Sequence, residues 1–437
     1  MAPSAVRRVV ITGVGAVTPL GNDPHQLVAA LREGQSGIRP LTRIPRGVLA
    51  TDHGGEAIDF TGDIGDYGPL EKPLQRTIRK GSKVMCREIE MGVAVAQHAL
   101  RDAGFSPESF DRDRTGVIYG CDYIMSLPEE YAEGIASCID EQGRFRFERW
   151  GQRGLPKVNP LWLLKYLPNM PASHIAIYND LRGPNNSITV REASAGAALA
   201  ESVSTLQRGH ADALVVGATG TRIHPLRTLH ASLQEPMAPA RDDPAEMSRP
   251  FDRSRQGMVL SEGAAAIVCE TLEHAEARGA RILGEIVGGG TSAVGPRYGD
   301  GFLKLAIENA IRAALGSADP AAIGHIHAHG KGTPEADRQE AAAIAAVFGT
   351  PDVQPPVTTA KGHLGGMGAG AAMVELVASL LSLGGPLFPI RNLRQIDPEC
   401  PIRGVGDRDT PAGDEFVSIG YSPQGQAAAV RVRRWDG

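Results

Sequence analysis

The sequence predicts an α/β protein with buried, largely parallel strands. Short apolar runs closed by glycine alternate with longer stretches whose apolar residues recur at helical spacing. That alternation runs through nearly all 437 residues, without a short-period repeat or low-complexity tract, which disfavours solenoids and propellers. Composition agrees: 42% apolar and 22% charged residues is the balance of a globular chain with a sizeable core.

Val9 to Thr12, closed by Gly13 and Gly15, reads as a buried strand ending in a tight turn. Glu88 to Ala103 repeats apolar residues at helical spacing and stops at Gly104. Thr115 to Tyr119 is a second strand, and Ala213 to Val216 another, after the helix-like AALAESVSTLQRG. Between them, Pro160 to Pro171 carries three prolines, which suits a loop or short helix over a pocket, or an interface segment. Ala264 to Glu270 reads as a strand and His274 to Ala280 as helix or turn. A second strand-helix series starts near Ile282, with Lys304 to Leu315 a helix, Ile323 to Ala328 a strand and Ala371 to Leu383 an apolar core helix. The boundary between halves is placed at 272, giving residues 1–272 and 273–437. Asp407 to Asp414 reads as a surface loop.

A net charge of −5 gives no general attraction to nucleic acid or to anionic membrane. An acidic partner needs a local patch, and Arg76, Arg79, Lys80 and Lys83 supply one candidate at i, i+3, i+4, i+7, the spacing of one helical face. A plain solvated face is the competing reading. Five cysteines, odd in number, widely spaced and without a CxxC pair, support neither a disulfide framework nor a zinc site. A reducing compartment follows. The N-terminus MAPSAVRRVVITGVG has no separate apolar h-region, and no later window is apolar for a membrane span, so a cytoplasmic protein is expected, with no metal or cofactor.

Five collinear segments carry a resemblance: VVITGVGAVTPLGN (Val9 to Asn22), RGPNNSITV (Arg182 to Val190), GHADALVVGATG (Gly209 to Gly220), SRPFDRSRQGMVLSEGAAAIV (Ser248 to Val268) and IHAHGKGTPEADRQE (Ile326 to Glu340). Together they resemble the β-ketoacyl synthases, condensing enzymes of the thiolase-like superfamily that elongate acyl chains on an acyl carrier protein. The resemblance implies a five-layer αβαβα fold of two similar halves, a homodimer or heterodimer, and a nucleophilic cysteine at the start of a buried helix. There the helix dipole stabilises a thiolate.

Reading forward from Gly183-Pro184-Asn185 puts Glu192 at the nucleophile position. A displacement by one puts Ala193 there. A carboxylate can enjoy the dipole, but its acylation gives a mixed anhydride and not an isoenergetic thioester exchange. His329 matches the first family histidine, either as a donor to the malonyl thioester or as a packing residue. Lys361 matches the family lysine and, buried, needs an acid such as Glu192 or a neighbour. Ungapped counting to Glu375 puts Gly366 in the place of the second histidine, whereas two compensating shifts rescue His363.

Tyr421 in SIGYSPQGQ stands for the gating phenylalanine, with Ser422-Pro423-Gln424 replacing flexible glycines and stiffening the loop. Tyr123 in GCDYIM either narrows the acyl tunnel or lies at a surface or interface. Cys121 is the one displaced thiol to consider as a nucleophile.

The resulting expectation is a condensation-incompetent homologue similar to chain-length factors, paired with a cysteine-bearing synthase subunit or with itself. Two others stand beside it: a cysteine-independent malonyl-thioester decarboxylase or acyltransferase, with Glu192 as a base of raised pKa, and a non-catalytic homodimer that binds a carrier protein or lipid.

Overall fold

The computed structural model describes residues 6–49, 51–106 and 108–437. Residues 1–5, on which the N-terminal leader reading partly rests, lie outside them. Among the described residues no helix is long and apolar enough to cross a membrane.

Ten strands form one continuous sheet. In chain order they are β1 (Val9–Val17), β2 (Thr115–Cys121), β3 (Asn185–Ile188), β4 (Ala213–Thr221), β5 (Glu262–Thr271), β6 (Gly284–Ala293), β7 (His325–His327), β8 (Val357–Thr358), β9 (Glu415–Tyr421) and β10 (Gln426–Arg434). Their spatial order is β8-β7-β9-β10-β6-β1-β5-β4-β2-β3. Counted outward from the β1–β6 junction, each set of five follows the same path: first strand, fifth, fourth, second, third. The chain therefore repeats one topology, and the passage from one set to the next falls between Thr271 and Gly284.

The sheet is mixed, which corrects the expectation of largely parallel strands. β2 pairs in parallel with β3 and β4, and β7 with β8 and β9. The central pairings, β4–β5, β5–β1, β1–β6, β6–β10 and β10–β9, are antiparallel. The reason is visible at β9–β10, which a tight turn joins: Ser422 N–H donates to Gln426 O at 2.8 Å and Gly425 N–H to Ser422 O at 3.0 Å. A turn that short leaves no length for the crossover that parallel pairing requires.

The helices that position the site are α1 (Lys72–Gly81), α2 (Arg87–Asp102), α3 (Met170–Asn179), α4 (Ser194–Gln207), α5 (Pro225–Gln234), α6 (Phe302–Leu315), α7 (Pro334–Phe348) and α8 (Ala371–Leu380). α2 and α3 pack on one outer face, against β1, β2, β4 and β5, and α6 packs on the other, against β6 and β10, with α7 alongside it. α4 touches β2 and β4 of the first set and β6 and β10 of the second, while α8 touches β5 and β9. These two lie between the sheet halves, so the layers run αβαβα. α8 is buried along its whole length, as a helix with apolar residues on every side must be, and its one acid, Glu375, is paired with Lys361.

Candidate functional site

β3 leads to α4 through a 3-10 turn, Arg191–Ala193. Arg191 has φ of 54°, a left-handed conformation that a long side chain adopts only where its surroundings hold it. Here they do: its guanidinium reaches Gln234 Oε1 at 3.2 Å and Glu235 Oε1 at 3.1 Å, at the end of α5. The turn delivers Glu192 to the base of the middle-layer helix, 4% exposed.

Three cations surround that carboxylate. Arg222, just past β4, donates from Nη2 to Glu192 Oε1 at 2.6 Å; Lys331 Nζ lies 3.6 Å from the same oxygen, and Arg191 Nε lies 3.5 Å from Oε2. Burial alone pushes the carboxyl pKa up, but Lys331, Arg222, Arg191 and His329 outweigh it and hold the group well below the usual carboxylate range. The expected base of raised pKa is thus corrected to a carboxylate that stays ionised.

The cluster continues inward. Arg222 also meets Asp122 at 3.3 Å; Arg227 on α5 donates to Asp122 at 2.6 Å and reaches Glu88 on α2 at 3.3 Å; Lys331 pairs with Glu235. Four acids face four bases. Such a chain is held by mutual compensation, because each ion alone would carry a desolvation penalty of several kcal/mol.

His329, just past β7, forms the second part of the site. Its imidazole is fully buried and packs on Tyr421 with ring centroids 4.5 Å apart. Lys361 Nζ lies 3.3 Å from His329 Nδ1, donates to His329 O at 3.0 Å and pairs with Glu375. Lys361 therefore finds its acid in Glu375, not in Glu192. Burial, then Lys361, keeps the imidazole pKa well below its ordinary value. An ammonium against Nδ1 fixes the proton of the neutral ring on Nε2. That Nε2 is buried and has no hydrogen-bond partner among the described residues, so it is a free N–H donor. Glu340 supports the loop from behind: it accepts from the amides of His329 at 2.6 Å and Gly330 at 2.8 Å and from Tyr421 Oη at 3.3 Å, and burial pushes its carboxyl up to about 8.

The two candidates for the remaining histidine position separate cleanly. His363 is buried with Nδ1 2.8 Å from Gln35 O and Nε2 3.0 Å from Pro389 O. Both ring nitrogens are engaged by backbone away from His329, which corrects its inclusion among the substrate-binding candidates. Gly366 instead borders the strand-like segment at Leu260, and a Cβ built there meets only Val259 O, at 3.5 Å.

Tyr421 is fully buried and held by Glu340. Tyr123 is half-buried, with Oη 2.5 Å from His230 Nδ1 and its ring beneath the Arg227 guanidinium at 4.7 Å; it belongs to the ion cluster, not to an open surface. Cys121 ends β2 fully buried, and burial first, then Glu88 and Asp122, pushes its thiol pKa well up, the opposite of what a nucleophile needs.

Arg76, Arg79 and Lys80 are exposed on α1. Lys83 is exposed too, but α1 ends at Gly81 and Lys83 sits in the following 3-10 turn, Ser82–Val84, which corrects the single helical face. None of the four is ion-paired among the described residues. Arg222, Lys331, Asp122, Arg227, Glu88 and Glu235 were not anticipated as members of the site. The one signal in the sequence is position: Asp122 and Arg222 are the first charges after strongly apolar strands.

Two family models match the chain: Beta-ketoacyl synthase, N-terminal domain, over residues 6–275, and Beta-ketoacyl synthase, C-terminal domain, over 283–392. The 3-oxoacyl-[acyl-carrier-protein] synthase 2 of Synechocystis sp. is 30% identical over 421 residues, covering 92% of each chain. Among solved structures, the ishigamide ketosynthase/chain length factor superposes with a TM-score of 0.80 at 25% identity, over 99% of this chain and 100% of that one. A type II PKS acyl-carrier protein in complex with its ketosynthase gives a TM-score of 0.78 at 20% identity, over 99% and 100%, a likeness of fold.

Proposed function

The chain belongs to the β-ketoacyl synthase family, and from that membership we propose that it works as a chain-length-factor-like subunit that does not itself condense acyl chains. The observation that carries this is the state of Glu192. At the position where the family places its thiolate stands a carboxylate held by Arg222, Lys331 and Arg191. A carboxylate so stabilised is a poor nucleophile. Acylating it also discards three charge-charge interactions inside a buried cluster.

Two further features point the same way. Gly366, in line with the second family histidine, offers no imidazole, and Tyr421 is tied to Glu340 rather than free to swing. The partner in this reading is a cysteine-bearing synthase subunit. The unpaired cations Arg76, Arg79, Lys80 and Lys83 on and beyond α1 present a basic face to an acidic acyl carrier protein.

One observation favours a second reading. The free Nε2–H of His329 is the donor that a malonyl-thioester decarboxylase needs for the developing enolate oxygen. Against it, the permanent charge on Glu192 repels the malonyl carboxylate, and its low pKa makes it a weak base.

The test is co-expression with a cysteine-bearing synthase, followed by size-exclusion chromatography and intact-mass spectrometry during turnover. The expected result is a one-to-one heterodimer with acyl adducts on the partner alone. A homodimer that elongates malonyl carrier protein by itself, carrying an adduct on this chain, overturns the proposal. Carbon dioxide release from malonyl carrier protein that falls in His329→Ala moves the assignment to the second reading.

A further inference from the structure

Three cations meet at Glu192 from three separate elements: Arg191 from the turn before α4, Arg222 from the end of β4 and Lys331 from the loop after β7. Convergence of that kind makes a pocket for an anion, and the start of the 14-residue helix α4 adds its dipole in the same sense. The occupant is the chain's own carboxylate, and it fits imperfectly. Oε1 accepts from Arg222 at 2.6 Å, but Oε2 lies 3.5 Å from Arg191 Nε and accepts no hydrogen bond among the described residues. The backbone tether fixes where this carboxylate sits, so it cannot turn to meet Arg191 and Lys331 as a free carboxylate would.

Charge counting says what the pocket is without Glu192. Arg191, Arg222, Arg227 and Lys331 stand against Glu88, Asp122, Glu192 and Glu235, and the cluster is balanced. The other two acids near the pocket are already committed, Asp122 to Arg222 and Arg227, and Glu235 to Arg191 and Lys331. Without Glu192 the set therefore carries one positive charge in excess, buried where an unmatched ion is costly. The cluster also reaches solvent, since the Arg191 side chain at its outer end is 14% exposed.

We propose that Arg191, Arg222 and Lys331 form a binding cradle for a small carboxylate and that Glu192 is its built-in occupant, a contact within the chain that closes the cradle to anions from solution. A malonyl-type carboxylate is thereby kept out of the centre beside His329. The contact deepens the proposed function and rests on it for the idle nucleophile position. The cradle is nevertheless measurable on this chain alone, so an absent synthase partner and an empty cradle are separate results.

Glu192→Ala tests this, because it removes a CH2–COO− group the size of acetate, and a cavity left by deleting a buried side chain admits small ligands from solution. Sodium acetate is titrated calorimetrically into the full chain, with ionic strength held constant by sodium chloride. Wild type should give no saturable heat, and Glu192→Ala should bind one equivalent and melt at a temperature that rises with acetate. Glu192→Gln, whose amide still fills the space, should bind acetate at least about tenfold more weakly than Glu192→Ala. Where the alanine variant does not fold unaided, its refolding yield with and without acetate gives the same reading. An alanine variant indifferent to acetate overturns the proposal and leaves the space to water. Saturable acetate binding by wild type overturns the closure by Glu192, and equal affinity in the alanine and glutamine variants places the anion elsewhere and overturns the cradle.

Discussion

Arg222 Nη2 lies 2.6 Å from Glu192 Oε1, with the two side chains 3% and 6% exposed. One residue follows β4 and the other precedes α4, so the pair ties the first sheet half to the middle layer. Its strength is conditional, because removing either ion leaves a buried cluster short of one compensating charge.

Replacing one partner should therefore be costly. Arg222→Met is expected to destabilise the protein by about 3–5 kcal/mol, measured by urea unfolding. Glu192→Gln should cost less, because Asp122 and Glu235 still face Arg222 and Lys331. Equal losses for the two variants would contradict the cluster as drawn.

Glu192 also makes stability depend on pH. Its folded pKa lies well below the ordinary value of 4.5, so its contribution is complete above that value and disappears as pH falls toward the folded pKa. Unfolding free energies measured between pH 5 and pH 3 should fall more steeply for wild type than for Glu192→Gln. Parallel curves would mean that the carboxyl is not ionised in the folded state.

Glu340 runs in the opposite sense. Its folded pKa is raised to about 8 from 4.5, so its stabilising contribution is complete below 4.5 and is lost as pH rises through 8. Wild type should lose stability between pH 6 and pH 8.5 relative to Glu340→Gln. A flat difference over that interval would show that burial does not hold the proton there.

The basic face on and beyond α1 yields a binding prediction. Arg79→Glu with Lys80→Glu should weaken association with an acidic acyl carrier protein about tenfold or more at low salt, and the difference should shrink at high salt. Surface plasmon resonance reads both. Unchanged affinity at low salt would return these residues to a solvated face.

Much of the scaffold was legible from residues alone, and the reasons are local. β5 and α8 announce themselves because segments so largely apolar have nowhere to go but a core. That a buried Lys361 needs a neighbouring acid was legible too, and Glu375 supplies it. The sheet's sense was not legible, since a strand pattern records burial and not direction. Nor were the distant partners of Glu192, in contrast to its neighbour Arg191: Arg222 lies 30 positions away and Lys331 lies in the other repeat, and no periodicity joins residues so far apart. Lys83 was misplaced because Gly81 ended a helix that charge spacing alone would continue.

The twofold repetition of strand order has a bearing on how the molecule comes to be. Glu192 is contributed by the first copy of the pattern and His329 by the second, and α4 and α8 fill the seam between copies. During synthesis the first copy emerges with that seam bare and with Glu192 lacking Lys331. The cluster around Glu192 is consequently complete only once the second copy has brought Lys331, and a nascent chain halted near residue 280 should display an apolar flank that invites a chaperone.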